Sequence, residues 1–265
     1  MDHPRFDDDV RRVAHMMADA ARAAILPYFR GDDLGTENKR PADFDPVTIA
    51  DRAAERVMRD ILAAERPDDA ILGEEYGSAA GTSGLTWVLD PIDGTRGFVS
   101  GTPTWGVLIA LSDDTGPFYG IIDQPYIGER FEGAPDGARM EGPLGSRDLH
   151  TKRTKNLSDA ILFTTFPEVG EQVDAEGFRA VSAQAKLTRY GMDCYAYALL
   201  AAGQVDLVIE AGLQAYDIQA PIAVVEAAGG IVTDWRGGPV HAGGRALAAA
   251  NERIHAEALA ILKGY

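Results

Sequence analysis

The sequence predicts a mixed α/β protein, α+β over its N-terminal half and α/β over its C-terminal half, and three observations carry that expectation. Two apolar stripes of helical period occupy the first 62 residues, three β-rich runs separated by turn residues follow between 105 and 132, and strand-like and helix-like segments alternate from 161 onward. At 265 residues the chain can form one large or two modest domains with a real core.

Val10, Val13, Ala14, Met17, Ala21, Ala24, Ile25 and Tyr28 follow the i, i+3, i+4, i+7 spacing of an amphipathic helix. Residues 31–44, with Lys39 and Arg40 among them, are polar and rich in Gly, Asp and Pro, and read as a candidate mobile loop longer than the usual connection. Thr48-Ile49-Ala50-Asp51 is a helix-start signature ahead of the stripe Ala54, Val57, Met58, Ile61 and Leu62, which puts Asp51 at a helix N-terminus. Residues 70–73 form a short strand that ends in Glu74-Glu75.

Trp87-Val88-Leu89 is a second strand-like run, ending in Asp90. Pro91 has no N–H to give a ladder, so the strand is expected to stop there and turn through Asp93-Gly94-Thr95. The runs 105–111, 118–123 and 129–132 suggest an antiparallel meander, and the Gly/Pro-rich stretch 134–147 suggests a boundary between domains 1–142 and 143–265. Beyond it come strand 161–165, helix 175–185, strand 187–190, helix 193–202 and strand 205–210, the alternation of βαβ units and a parallel sheet. Asp217 precedes a helical run to Ala228 with Pro221 in its first turn; Gly229-Gly230 ends it, and a strand at 231–233, the stretch 247–251 and a short helix close the chain.

Forty-one acidic residues against 25 basic ones leave a formal charge of −16, which argues against a phosphate backbone of nucleic acid as partner and suits cations. One cysteine, Cys194, excludes an intrachain disulfide or a cysteine metal cluster and fits a reducing compartment. With no bilayer-length apolar run and a polar start, the expectation is a cytoplasmic protein without a membrane partner.

Asp51, Glu74, Asp90, Asp93 and Asp217 stand at strand ends or helix starts in separated segments. Five carboxylates in one small volume would need cations, and an all-oxygen set without His or Cys selects Mg²⁺ before Mn²⁺ or Ca²⁺ and disfavours zinc. Each also has an ordinary reading as a helix cap, a turn residue or an exposed acid, and the set as a whole can be a structural Ca²⁺ or Mg²⁺ site without catalysis.

Gly73-Glu74-Glu75, Asp90-Pro91-Ile92-Asp93-Gly94-Thr95, and Tyr216-Asp217 with Glu226-Ala227-Ala228-Gly229-Gly230 resemble the three signatures of the inositol monophosphatase family of Mg²⁺-dependent, Li⁺-sensitive phosphatases. The resemblance implies an αβαβα layered sandwich, usually a homodimer, acting on a small phosphorylated metabolite. It implies two or three Mg²⁺ ions, with Mn²⁺ as substitute, held by Glu74, Asp90, the carbonyl of Ile92, Asp93 and Asp217. Asp51, Thr95 and Glu74 would then serve the attacking water, Gly94 and Thr95 would offer N–H groups to the phosphate, and no covalent intermediate forms.

The continuation Arg96-Gly97-Phe98 through Gly106, the run Gly191-Met192-Asp193-Cys194-Tyr195-Ala196-Tyr197, and Trp235-Arg236-Gly237 resemble the histidinol-phosphate phosphatase branch. Histidinol phosphate carries an ammonium and an imidazole, for which Asp193 and Glu210 are the candidate acceptors, and Arg96 faces substrate or a partner subunit, or forms an ordinary surface ion pair. Met192 stands where that branch commonly has a small residue and Gln214 where it often has lysine. Inositol-1-phosphate or another sugar phosphate is the alternative substrate.

Overall fold

The computed structural model describes residues 3–31, 35, 37–38 and 46–265. The loop expected over 31–44, with Lys39 and Arg40, falls largely outside the described residues. In chain order the elements are α1 (Asp8–Ile25), β1 (Glu37–Asn38), β2 (Pro46–Val47), α2 (Ile49–Glu65), β3 (Ala70–Gly73), β4 (Gly77–Ala79), β5 (Thr86–Asp93) and α3 (Thr95–Val99). Then come β6 (Gly106–Asp113), β7 (Gly116–Gln124), β8 (Glu129–Ala134), β9 (Gly137–Gly142), β10 (Gly145–Asp148), β11 (Ile161–Thr164), α4 (Gln172–Ser182) and β12 (Leu187–Tyr190). The chain closes with α5 (Tyr195–Ala201), β13 (Leu207–Gln214), α6 (Ala215–Ala227), β14 (Ile231–Asp234), β15 (Gly243–Ala249) and α7 (Glu252–Leu262).

The first sheet has the order β10-β9-β8-β7-β6-β5-β3-β4 and the second β12-β11-β13-β15-β14. Alternation along the strands sorts their side chains into layers. Trp87, Leu89, Val107, Ile109, Leu111, Tyr119 and Ile121 face α1 and α2, while Val88, Leu108, Ala110 and Ile122 face the opposite way, toward α5 and α6. In the second sheet Val208, Ala246 and Ala248 turn toward α5 and α6, and Leu207, Ile209, Leu247 and Ala249 toward α4 and α7. The result is the αβαβα sandwich the resemblance implies. Helix α6 contacts both sheets and, apart from Asp217, Gln219 and Glu226, is apolar, as suits a helix packed between two sheets, whereas α1 buries a single stripe. Truncating a central residue of the middle layer such as Ile122 to Ala removes about 2–5 kcal/mol of stability.

Several elements depart from the sequence expectations. The stretch 134–147, expected to be a boundary, supplies β9 and β10, and the expected division after residue 142 falls in the turn between these paired strands. The second sheet is mixed, not parallel: β11 runs parallel to β12 and β13, but β15 inserts antiparallel between β13 and β14. Helix α4 starts three residues before the expected 175, capped reciprocally by Glu171 and Asp174. Helix α6 starts at Ala215, so Asp217 lies inside its first turn and Pro221 beyond it.

Candidate active site

Strand β5 continues past Pro91, contrary to the expected stop, because its ladder shifts there. Asp90 pairs with Leu108 and Asp93 with Gly106 of β6, three residues opposite two, so one extra residue is accommodated as a β-bulge. Pro91 sits in the bulge, where a missing N–H costs no ladder bond. In a regular strand residues three apart point to opposite faces; the bulge brings Asp90 and Asp93 to the same side. Asp90 Oδ1 also accepts the N–H of Ile92 at 3.0 Å, which stiffens the turn.

Glu74 follows the end of β3, which runs parallel beside β5, and its N–H donates to the Leu89 carbonyl at 3.1 Å. Asp217 reaches the same place from α6, where its Oδ2 accepts the N–H of Gln214 at 2.7 Å in a reciprocal cap. A carboxylate in a helix's first turn is favoured by the exposed N–H groups there. Carboxylate oxygens of Asp90, Asp93 and Asp217 lie within 4.8 Å of one another.

Burial, then the charges of Glu74, Asp93 and Asp217, push Asp90 well above the ordinary carboxylate range. Asp93 is raised in the same way by burial and by Asp193 and Asp217, against a hydrogen bond from Cys194. Oxygen donors crowded to the point of opposing their own ionisation fit a hard divalent cation, which would relieve the repulsion. Asp90, Asp93 and Asp217 are the residues that could hold it, with Glu74 beside them.

Glu74, Asp90, Ile92, Asp93, Gly94, Thr95, Arg96, Asp193, Glu210 and Asp217, all expected from the sequence, line one cleft of about 620 Å³. Gly94 has φ of 85°, and a Cβ there would come within 2.7 Å of the Asp193 carboxylate, so backbone and space both demand glycine. The Thr95 hydroxyl donates to the Ile92 carbonyl at 3.1 Å, and that oxygen keeps a second lone pair. Asp51 does not line the cleft. It is fully buried in a capping box in which Thr48 N–H donates to its Oδ2 at 2.9 Å, and its Oδ1 has no hydrogen-bond partner among the described residues. Burial, opposed by the Thr48 hydrogen bonds and aided by Glu74 and Glu75, raises its pKa to about 7.

Asp193 was expected within a helix; instead it precedes α5 in a left-handed turn with φ of 44°. That turn aims the next N–H, of Cys194, at Asp93 Oδ2 2.6 Å away. Burial raises Asp193 to about 6 against a Thr104 hydrogen bond and the Arg96 charge. Glu210 precedes a bulge in β13, where Glu210 pairs with Ala246 and Leu213 with Gly244. It accepts Thr165 N–H at 2.6 Å and the hydroxyls of Thr165 and Thr164 at 2.9 and 3.1 Å. Burial outweighs these bonds and, with Asp193 nearby, raises Glu210 to about 7.

The sequence reading missed the role of Thr165 and of Tyr197. Tyr197 lines the cleft, and its buried hydroxyl has no hydrogen-bond partner among the described residues. Phe166, also at the cleft, lies under the Arg96 guanidinium at 5.0 Å. Thr165 and Phe166 carry no local signal, since a lone Thr or aromatic next to a strand end reads as core or turn, and Tyr197, though within the quoted run, reads as an apolar residue of α5.

This arrangement, bulged acidic strand, acidic helix start and adjoining acidic cleft between two sheets, matches a known class. The profile of the inositol monophosphatase family covers residues 7–264, and the chain belongs to that family. It is 38% identical to the histidinol-phosphatase of Streptomyces coelicolor, across 98% of each protein. It is 43% identical to the bifunctional phosphatase IMPL2, chloroplastic, of Arabidopsis thaliana over 87% of this chain, which spans 65% of that protein's length. A solved inositol monophosphatase from Zymomonas mobilis shares the fold with a TM-score of 0.86 and 40% identity, covering 98% of this chain and 100% of the other. The chain is a phosphoric monoester hydrolase of a metal-dependent phosphatase family. Among the described residues no helix is long and apolar enough to cross a membrane.

Proposed function

We propose that this phosphatase hydrolyses L-histidinol phosphate to L-histidinol and inorganic phosphate, using two or three Mg²⁺ ions replaceable by Mn²⁺, as a Li⁺-sensitive cytoplasmic homodimer. The observation that carries the substrate is the pairing of Asp193 and Glu210 in the cleft beyond the metal cluster. Glu210 is buried and Asp193 half-buried, and the charge of Asp193 adds to the rise in the pKa of Glu210. An alcohol bearing an ammonium and an imidazole supplies the positive charge and donors that this part of the cleft requires, and inositol supplies only hydroxyls. Similarity to the Streptomyces coelicolor histidinol-phosphatase over the full length supports the same reading.

In this reading Glu74, Asp90, Asp93, Asp217 and the Ile92 carbonyl hold the ions. The ions held there would supply charge neutralisation for the phosphoryl group and a lowered pKa for the attacking water. Thr95, whose own proton goes to the Ile92 carbonyl, would orient the attacking water through its lone pairs, and Glu74, which lines the same cleft, would take the water's proton, while Asp51 stays buried in its cap outside the cleft. Gly94 and Thr95 N–H groups steady the phosphate. Water attacks phosphorus, the ester P–O bond breaks, and the departing alkoxide takes a proton from solvent. The first 142 residues thus provide most metal ligands, and 143–265 provide Asp217 and the alcohol-binding residues.

The second reading is inositol-1-phosphate, favoured by the 40% identity to the Zymomonas mobilis inositol monophosphatase. Phosphate release with Mg²⁺ from both esters decides between them. A large kcat/KM advantage for histidinol phosphate is expected; an advantage for inositol-1-phosphate overturns the substrate and keeps the chemistry. Metal binding without turnover of either ester would leave only a structural metal site.

A further inference from the structure

Glu74 stands in the short turn between β3, which ends at Gly73, and β4, which begins at Gly77. What holds that turn comes from α2. Glu55, one helical turn beyond Asp51, is fully buried. One of its oxygens accepts the N–H of Glu75 at 2.6 Å, and the other accepts the N–H of Tyr76 at 3.1 Å and Arg59 Nε at 2.7 Å. Arg59 in turn donates to the Gly77 carbonyl at the far side of the turn. Charged acceptors make the stronger hydrogen bonds, and here both oxygens are spent on consecutive backbone groups immediately after Glu74.

Gly73 gives an independent observation. A Cβ built there would lie 2.0 Å from Glu55 Oε1 and 2.5 Å from Cδ. Its backbone is outside the positive-φ region, so glycine is needed at this position for space alone. The carboxylate occupies the volume a side chain would fill.

We propose that Glu55 is a positioning residue for the metal centre: it clamps the 74–76 turn against α2 and so fixes where Glu74 meets Asp90, Asp93 and Asp217. It touches neither substrate nor ion and acts through the backbone. The proposal rests on reading Glu74 as a metal ligand. Groups that orient a metal ligand typically cost roughly 10- to 100-fold in metal affinity when removed.

The test is Mn²⁺ binding to the full chain without substrate, followed by electron paramagnetic resonance of the free ion, with melting curves alongside. Glu55→Gln offers one acceptor oxygen in place of two, and Gly73→Ala displaces the carboxylate while keeping its charge. Both should weaken Mn²⁺ binding about tenfold and raise the metal concentration for half-maximal phosphate release. Both should remain folded at the assay temperature, with KM for the ester unchanged at saturating metal. Glu74→Gln should weaken Mn²⁺ at least as much. Wild-type Mn²⁺ affinity in folded Glu55→Gln or Gly73→Ala overturns the proposal, and so does wild-type affinity in Glu74→Gln. Because no ester is present in the binding measurement, its outcome does not depend on which phosphate ester is the substrate.

Discussion

The backbone N–H of Cys194 donates to Asp93 Oδ2 at 2.6 Å, tying together residues 101 apart in sequence. The left-handed Asp193 that precedes Cys194 makes this possible, and the same turn places the Asp193 carboxylate against Gly94. The acidic motif of β5 is therefore held in register by the segment that carries Asp193, a proposed substrate acceptor.

Asp93→Asn removes one carboxylate from a cluster whose members raise one another's pKa values. Turnover should fall by roughly a hundredfold or more as a ligand oxygen is lost. Thermal stability without metal should hold or rise, since like-charge repulsion is relieved. Near-full activity in the variant would remove Asp93 from the metal site.

Thr95→Ala deletes the hydroxyl that donates to the Ile92 carbonyl. Orientation of the attacking water matters chiefly in the transition state, so kcat should fall by about 10²-fold or more with KM little changed. Steady-state kinetics in which only KM rises would place Thr95 in ground-state binding.

Glu210→Gln keeps the shape of the side chain held by Thr164 and Thr165 but removes its charge. Losing a hydrogen bond to a charged group costs about 1.5–3 kcal/mol, or roughly a 10- to 100-fold drop in kcat/KM for histidinol phosphate. Hydrolysis of a neutral alcohol's phosphate should change far less. Equal losses on both esters would assign Glu210 a structural role.

Acid stability should report on Glu132, remote from the cleft. Burial alone would raise its pKa from the ordinary 4.5, but hydrogen bonds from His15 and Arg11 and the charge of Arg139 prevail and lower it to about 2. Arg11 Nε lies at 2.6 Å and His15 Nε2 at 2.9 Å, while His15 Nδ1 faces Arg130 at 3.0 Å. A depressed folded pKa contributes stability above about 4.5 that is lost as pH falls toward about 2. Denaturant unfolding from pH 7 to 2 should show Glu132→Gln less stable than wild type at neutral pH, with the difference shrinking through that window. A constant difference would show that the charge of Glu132 is not what the network stabilises.

The parts of this molecule that could be read from the chain were those decided within a few residues. The stripes of α1 and α2, the meander β6–β8 and the acidic motifs at Glu74, Asp90–Thr95 and Asp217 each follow from local periodicity or local chemistry. Asp193, one of the two proposed acceptors, lies in a motif run read from the sequence, though its backbone could not be read there: its φ of 44° depends on the β12–α5 turn closing against Asp93. Glu55 carried no signal, because a glutamate on an amphipathic helix reads as a solvated charge until the turn after β3 packs over it.

What required tertiary structure was pairing and register. Asp90 and Asp93 share a face only because β5 slips one residue against β6, and 134–148 is sheet edge only because β8 is there to pair with. Likewise β15 inserts antiparallel between β13 and β14 and makes the second sheet mixed. Residue types and local spacing set which groups can ligate a cation, whereas hydrogen bonds between strands distant in sequence set which of those groups meet, and no window along the chain contains both partners of such a bond.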